Sequence, residues 1–284
     1  MSYERSRYLG GLGVRRDAAG ISSLDQLGSW LTYWLAPNVT PTTGLPADVT
    51  QCTDSSGNAN HWSLVKTGNE AQVTTTGVPT GIARMIDIDA ASVSESVGHL
   101  FAAPATVSAW TTSTMWCAFK LNVDKGSDMY PLSLCSNFAN REIALRVQPT
   151  TLELDLYLDR PTGAAGTWGK FAKASPYVLS LGTPYLAFVV HDGATARIYV
   201  NGANIGAVYS KSGTGPAESN WLAASDQQHT AINVGARVEG DLGAIGFGMD
   251  GGSVGAGIMQ APLAASKIAL AHAFLWSALK MGSW

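Results

Sequence analysis

YLAFVVHDGATARIYVNG (185–202) decides the fold. Tyr185 to Val190 is an unbroken apolar and aromatic run, and His191-Asp192-Gly193-Ala194 after it is a turn sequence. Thr195 to Val200 returns as the partner strand. Asn201-Gly202 then makes a second tight turn, because both residue types tolerate positive φ. That register points Ile198 and Val200 into a core and leaves Tyr199 facing outward or packed under a loop. ANIGAVYS (203–210) can return as a further strand.

Working outward, the same chemistry recurs. In CAFKLNV (117–123), Cys117, Phe119, Leu121 and Val123 alternate with Ala118, Lys120 and Asn122. EIALRVQ (142–148) and LELDLYL (152–158) flank Pro149-Thr150-Thr151, so 142–158 reads as a hairpin. A period of two implies one wet face and one core face, which is antiparallel sheet chemistry. It predicts Leu152, Leu154, Leu156 and Leu158 buried, with Glu153 and Asp155 exposed. TAINVGA (230–236) is a further strand, and KIALAHAFLW (267–276), apolar on both faces, suits a central strand covered on each side.

The remaining segments read differently. Residues 21–35 have the spacing of a short helix that Ser22 or Ser23 could cap, with Trp30, Leu31, Trp34 and Leu35 anchoring it or a following strand. Residues 37–54 read as a Pro/Thr-rich loop, 211–229 as a loop around Trp221, and 238–262 as a glycine-rich excursion. Many strands without recurrent βαβ helices argue for an all-β, two-sheet antiparallel jelly-roll sandwich with an N-terminal extension. The division expected is an arm and short helix over 1–29 and one jelly-roll domain over 30–284.

Composition narrows the classes. Of 284 residues, 14% are charged and the net charge is −3, against roughly 25% charged in an average soluble domain. A charge-rich disordered chain, a coiled coil and a strongly basic nucleic-acid module are all disfavoured. Residues 1–16 carry Arg5, Arg7, Arg15 and Arg16 but no apolar run of a secretory leader, and no window has the length of a membrane span. Three cysteines, Cys52, Cys117 and Cys135, form neither a disulfide framework nor a zinc cluster. The thiols are expected reduced and mostly buried, and a Cys117–Cys135 bridge is unneeded at this size.

The stretch 185–202 resembles the concanavalin A-like, laminin-G-type jelly roll, in which a "w-h-v-a-f-v" strand leads through "D-G" into "r-l-Y-v-N-G". Ala231-Ile232-Asn233-Val234-Gly235 is similar to its "l-x-i-G" strand, and LAHAFLWSAL (270–279) to its closing strand. Asp54-Ser55-Ser56-Gly57-Asn58, with Ala59 and His61, looks like its "D-x-S-G-N-x-h" loop. That run also suits Asx and Ser turns bonded to their own backbone. The order of motifs looks like such domains in tailed-bacteriophage virion proteins. The resemblance therefore implies a virion structural protein (decoration, fibre or tail-associated), assembled with other virion proteins and copies of itself. The alternative is a carbohydrate-binding module of a phage appendage contacting host surface glycans.

The candidate residues follow. Trp168, Trp221 and Trp284 lie where core packing is least expected. They either bury themselves under their own loops, form a glycan platform or make a subunit interface. Tyr3, Arg5, Arg7, Tyr8, Arg15 and Arg16 would order an inter-subunit arm, with nucleic acid the lesser option for those arginines and no membrane implied. Hydrolases of the resembled family carry E-x-D-x-x-E. Asp87, Asp89 and Glu95 are the nearest set but do not match, so the chain is read as no enzyme. His61, His99, His191, His229 and His272 make no metal-ligand spacing, and His272 reads as a hydrogen-bonded core residue. No cofactor is expected; calcium would have to use oxygens from Asp192, Asp241 or Asp250.

Overall fold

The computed structural model describes residues 20–36, 39–41, 47–64, 72–88, 97–100, 107, 109–136, 142–159, 168–172, 177–206, 208–212, 229–239, 244–246 and 248–284. In chain order the first strands are β1 (Trp30–Leu35), β2 (Val39–Pro41), β3 (Ala47–Cys52), β4 (Ser63–Leu64), β5 (Gln72–Thr74), β6 (Met85–Ile88) and β7 (Val97–Leu100). Next come β8 (Ser113–Val123), β9 (Met129–Ser136), β10 (Glu142–Val147), β11 (Glu153–Asp159), β12 (Trp168–Ala172), β13 (Tyr177–Val178) and β14 (Pro184–His191). The last are β15 (Ala196–Val200), β16 (Ala203–Asn204), β17 (Val208–Ser212), β18 (His229–Val234), β19 (Arg237–Glu239), β20 (Ala244–Gly246) and β21 (Asp250–Met259), followed by helix α1 (Ala265–Ala278).

Two antiparallel sheets form the sandwich. One has ten strands, ordered β16-β15-β14-β8-β21-β6-β5-β3-β2 with β1 also on β21. The other has nine, ordered β17-β12-β11-β10-β9-β18-β7-β4 with β13 also on β11. The expected jelly-roll sandwich is what the chain forms. Between the sheets lie Trp34, Trp62, Phe119, Leu121, Ile143, Leu145, Leu154, Leu156, Ile198 and Ile232.

The 185–202 hairpin forms in the expected register, with Val189 opposite Ile198. Asn201 and Gly202 take φ of 49° and 82°, the doubly positive turn their sequence predicts. Ile198 and Val200 face the inter-sheet core. Tyr199 is buried on the opposite side, in the apolar cluster under α1. The return after Asn201-Gly202 splits: β16 stays with β15, while β17 crosses to the other sheet and pairs with β12.

Four assignments change. Within 21–35 only Leu24–Gln26 is helical, a 3-10 turn whose Ser23 side chain accepts from the Asp25 N–H; residues 30–35 form β1. The expected loop 37–54 contains β2 and β3, paired Val39 to Cys52. Its Pro41 is tolerated because β2 is the last strand of the sheet. The expected excursion 238–262 holds the β19–β20 hairpin and the central strand β21. A Cβ at Gly257 would stand 2.5 Å from Tyr33 Cβ and 2.7 Å from Trp116 Nε1, and one at Gly255 2.9 Å from the Trp116 ring. These glycines let a tryptophan and a tyrosine close over the strand.

The expected central strand 267–276 is the helix α1. Ile268, Ala271, Phe274 and Leu275 bury one helical stripe, and a short apolar run without clean alternation reads equally as either element. The stripe packs with Trp116, Leu186, Phe188, Val190 and Tyr199 on the outside of the ten-stranded sheet. Lys267 Nζ donates to Leu27 O at 2.7 Å, tying the helix to the segment before β1.

Cys52 and Cys117 are buried and free, so Cys117 makes no bridge, and burial pushes both thiols up. The Cys135 side chain lies outside the described residues. Among the described residues no helix is long and apolar enough to cross a membrane.

Candidate ligand-binding face

The β10–β11 hairpin positions the most developed polar cluster. Ile143, Leu145, Val147, Leu154 and Leu156 point into the sandwich. Alternation therefore sends Arg146, Gln148, Glu153, Asp155 and Tyr157 to the outer face. The register sets Arg146 opposite Asp155 and Ala144 opposite Tyr157.

Arg146 and Asp155 form a two-pronged pair. Arg146 Nε donates to Asp155 Oδ1 at 3.0 Å and Nη2 to Oδ2 at 2.9 Å, while Nη1 reaches Asp128 Oδ2 at 3.2 Å. Gln148 Nε2 donates to Asp155 Oδ2 at 2.8 Å and lies 3.4 Å from Glu153 Oε2. The guanidinium carbon stands 4.6 Å from the Tyr157 ring centre, and Tyr130 meets that ring edge-on at 6.4 Å. Burial would lower the Arg146 pKa, but the hydrogen bonds and charges of Asp155 and Asp128 outweigh it and hold the proton more firmly than usual.

The expected exposure of Asp155 is therefore corrected. Its side chain is 1% exposed, because Arg146 and Gln148 replace the water it gives up. Glu153 is half-buried. Leu154 and Leu156 are buried as expected, but Leu152 is only half-buried, since it sits in the turn at φ 54° before the strand starts. The side chain of Leu158 lies outside the described residues. The face is walled on one side: β19 packs against β9, and Ser133 Oγ donates to Ala236 O at 3.0 Å.

The residues chosen from sequence are dispersed. Trp168 opens β12 rather than lying in a loop, with its side chain outside the described residues. Trp284 is half-buried beyond the ten-stranded sheet, with Lys120 Nζ 5.0 Å from its ring centre. The two occupy different layers. Trp221, Tyr3, Arg5, Arg7, Tyr8, Arg15 and Arg16 lie outside the described residues, as do Asp89, Glu95 and Asp241.

Asp54 is enclosed as expected of an Asx turn. It is 8% exposed and accepts from the N–H groups of Tyr33, Ser56 and Asn60 at 3.0–3.1 Å and from Ser56 Oγ at 2.7 Å. Asn58 and Asn60 fasten the loop to the Trp30 and Leu31 carbonyls, so the run clamps β1. Asp192 closes its own turn. Burial would raise its pKa, but the N–H groups of Thr195 and Ala194, the Thr195 hydroxyl and Arg197 hold it well below the carboxylate range. His272 is no strand residue: it lies on α1, stacked on Trp276 at 5.2 Å, with Nε2 buried and without a hydrogen-bond partner. Among the described residues no three His, Cys, Asp or Glu gather at metal-binding range.

Sequence reasoning passed over Arg146, Gln148, Tyr157, Tyr130 and Asp128. A signal was present, since the opposite charges of Arg146 and Asp155 flank the Pro149-Thr150-Thr151 turn, three residues before it and four after.

No protein-family model and no curated protein matches the chain. Solved structures do. Trypanosoma rangeli sialidase aligns at TM-score 0.52 and 12% identity over 88% of this chain and 33% of that one. The same sialidase in complex with sialic acid gives 0.51 and 12% over 88% and 33%. The carbohydrate-binding module CBM40 of the Ruminococcus gnavus IT-sialidase gives 0.49 and 12% over 66% and 96%. This chain thus spans about a third of the trypanosomal chains, and what it shares with them is the β-sandwich fold. One expectation is overturned: the sequence suggests no enzyme, yet chains of this fold include sialidases. A missing E-x-D-x-x-E motif removes one hydrolase pattern on the scaffold, not catalysis.

Proposed function

We propose that this domain binds glycans on the outer face of the nine-stranded sheet. The observation that carries the reading is the Tyr157 ring, half-buried on that face and held by Arg146 at 4.6 Å and Tyr130 at 6.4 Å. An aromatic face fixed before binding offers a sugar ring a stacking surface at little entropic cost. Asp128, bonded to Arg146, and Gln148 and Glu153 further along the hairpin offer groups on the same face that pair with hydroxyls. Asp128, with its side chain 28% exposed, is open to solvent. The likeness to sialidase chains supplies the fold, and the chemistry of the face supports the sugar.

A structural role in a bacteriophage virion, the first reading of the sequence, draws on residues 1–20 and on motif order. It gains nothing from the fold or from the comparisons, so glycan binding takes its place.

The test is retention on a glycan array by the intact chain and by Tyr157→Ala. The parent chain should retain a defined set of glycans. The variant should lose at least about tenfold in affinity, worth about 1.4 kcal/mol, while keeping its circular-dichroism spectrum and melting only about 2–4 °C lower. Equal retention by both proteins would sink the assignment of Tyr157.

A further inference from the structure

We infer that the ligand of this face is an extended oligosaccharide lying along β11, from Tyr157 at one end to Val178 at the other, an inference that rests on the glycan reading above and deepens it. β13 pairs with the end of β11 nearest the hairpin turn, Glu153 opposite Val178 and Leu154 opposite Tyr177. Tyr177 packs with Leu154 against the inter-sheet core. Alternation therefore turns Val178 to the same outer face as Glu153, Asp155 and Tyr157. There it is 57% exposed, the most open of the large apolar side chains among the described residues.

A single exposed valine is ordinary on a protein surface. The position of this one gives it weight, because it closes a row of groups that begins at Tyr157. Tyr157 and Glu153 stand four residues apart on β11, which at about 3.4 Å per residue is about 14 Å, longer than one sugar ring. The middle of the row is sunken, with the Arg146 and Asp155 side chains 12% and 1% exposed. Gln148 and Glu153, both half-buried, follow toward Val178. One sugar on Tyr157 leaves these groups uncovered. Further sugars of the same chain reach them: hydroxyls pair with Gln148 and Glu153, and the C–H face of a ring covers Val178 and takes apolar surface out of water. Both ends are set before binding, Tyr157 by Arg146 and Val178 by the ladder that continues in the Leu179 N–H bond to Leu152 O at 2.9 Å, so little ordering opposes the gain.

The experiment titrates the full chain by calorimetry with glucan, mannan, chitin and polysialic acid fragments, each as a series from the monosaccharide to the hexasaccharide. The register sets Lys170 opposite Tyr157, so neutral and acidic series are both included. In the series that binds, affinity should rise at least about tenfold from the monosaccharide to the longest chain. Tyr157→Ala should weaken binding at every length. Val178→Ala and Val178→Thr, which trim or polarise an exposed side chain, should each weaken only the longer chains, by about threefold to tenfold. Equal affinity for the monosaccharide and the longest chain would overturn this inference and leave the glycan reading standing. So would Val178 variants that bind the longest chain as the parent does, or that lose equally at every length. Retention of no glycan by the intact chain, here and on the array, would overturn both.

Discussion

The outer faces of the two sheets are built from opposite materials. On the ten-stranded sheet, Leu186, Phe188, Val190 and Tyr199 turn outward and are covered by Ile268, Ala271, Phe274 and Leu275 of α1. On the nine-stranded sheet, Arg146, Asp155 and Tyr157 turn outward and carry a hydrogen-bonded and stacked cluster instead. The first face is a second core. The second holds charges that are costly to bury and that are buried only because they are matched. A sheet face closed by a helix has no room for a ligand; one floored by fixed polar and aromatic groups is preorganised for one.

The sharpest way to break this contrast is to truncate one aromatic on each face. Phe188→Ala empties a fully buried site under α1 and should cost about 3–5 kcal/mol in urea unfolding. Tyr157→Ala on the other face should cost about 1 kcal/mol and show itself in binding. Equal stability losses would mean that both faces are core.

Next in size is Arg146→Met, which leaves the Asp155 carboxylate, 1% exposed, without its cation. The expected loss is about 3 kcal/mol, largely recovered in Arg146→Met/Asp155→Leu. A silent single variant would mean that the cluster is an ordinary wet surface.

The smallest effect sharpens the helix side. Burial lowers the pKa of His272 below its ordinary 6.5. Its neutral form is favoured in the folded state, so unfolding takes up a proton once the pH falls below the ordinary histidine range. Stability should thus be fully present above about pH 6.5 and decline as pH drops toward the depressed folded value. Thermal melts between pH 7 and 5, compared with His272→Gln, check this. A parent and variant that lose stability in parallel would remove His272 from the account.

The hairpins at 142–158 and 185–202 were legible because their information is local. Alternation chooses the face, and Asn201-Gly202 chooses the turn. The polar cluster was half legible: Arg146 and Asp155 lie on the same face by alternation, but solvent exposure is the default for a charge, and only their pairing reverses it. Glu153, one register step toward the turn, keeps part of its exposure.

By itself the sequence determined the all-β class, the alternating strands and the 185–202 turns, and narrowed the cap to Ser22 or Ser23, since each depends on residues within a few positions of one another. The tertiary structure alone decided that a glycine-rich segment is a central strand and that an apolar one is a helix. Gly255 and Gly257 become strand residues because the side chains of Trp116 and Tyr33, distant in sequence, close over them. Ile268 to Leu275 becomes a helix because the outer face of the ten-stranded sheet needs a cover with a single apolar stripe. Neither requirement exists until strands distant in sequence have met in the ten-stranded sheet.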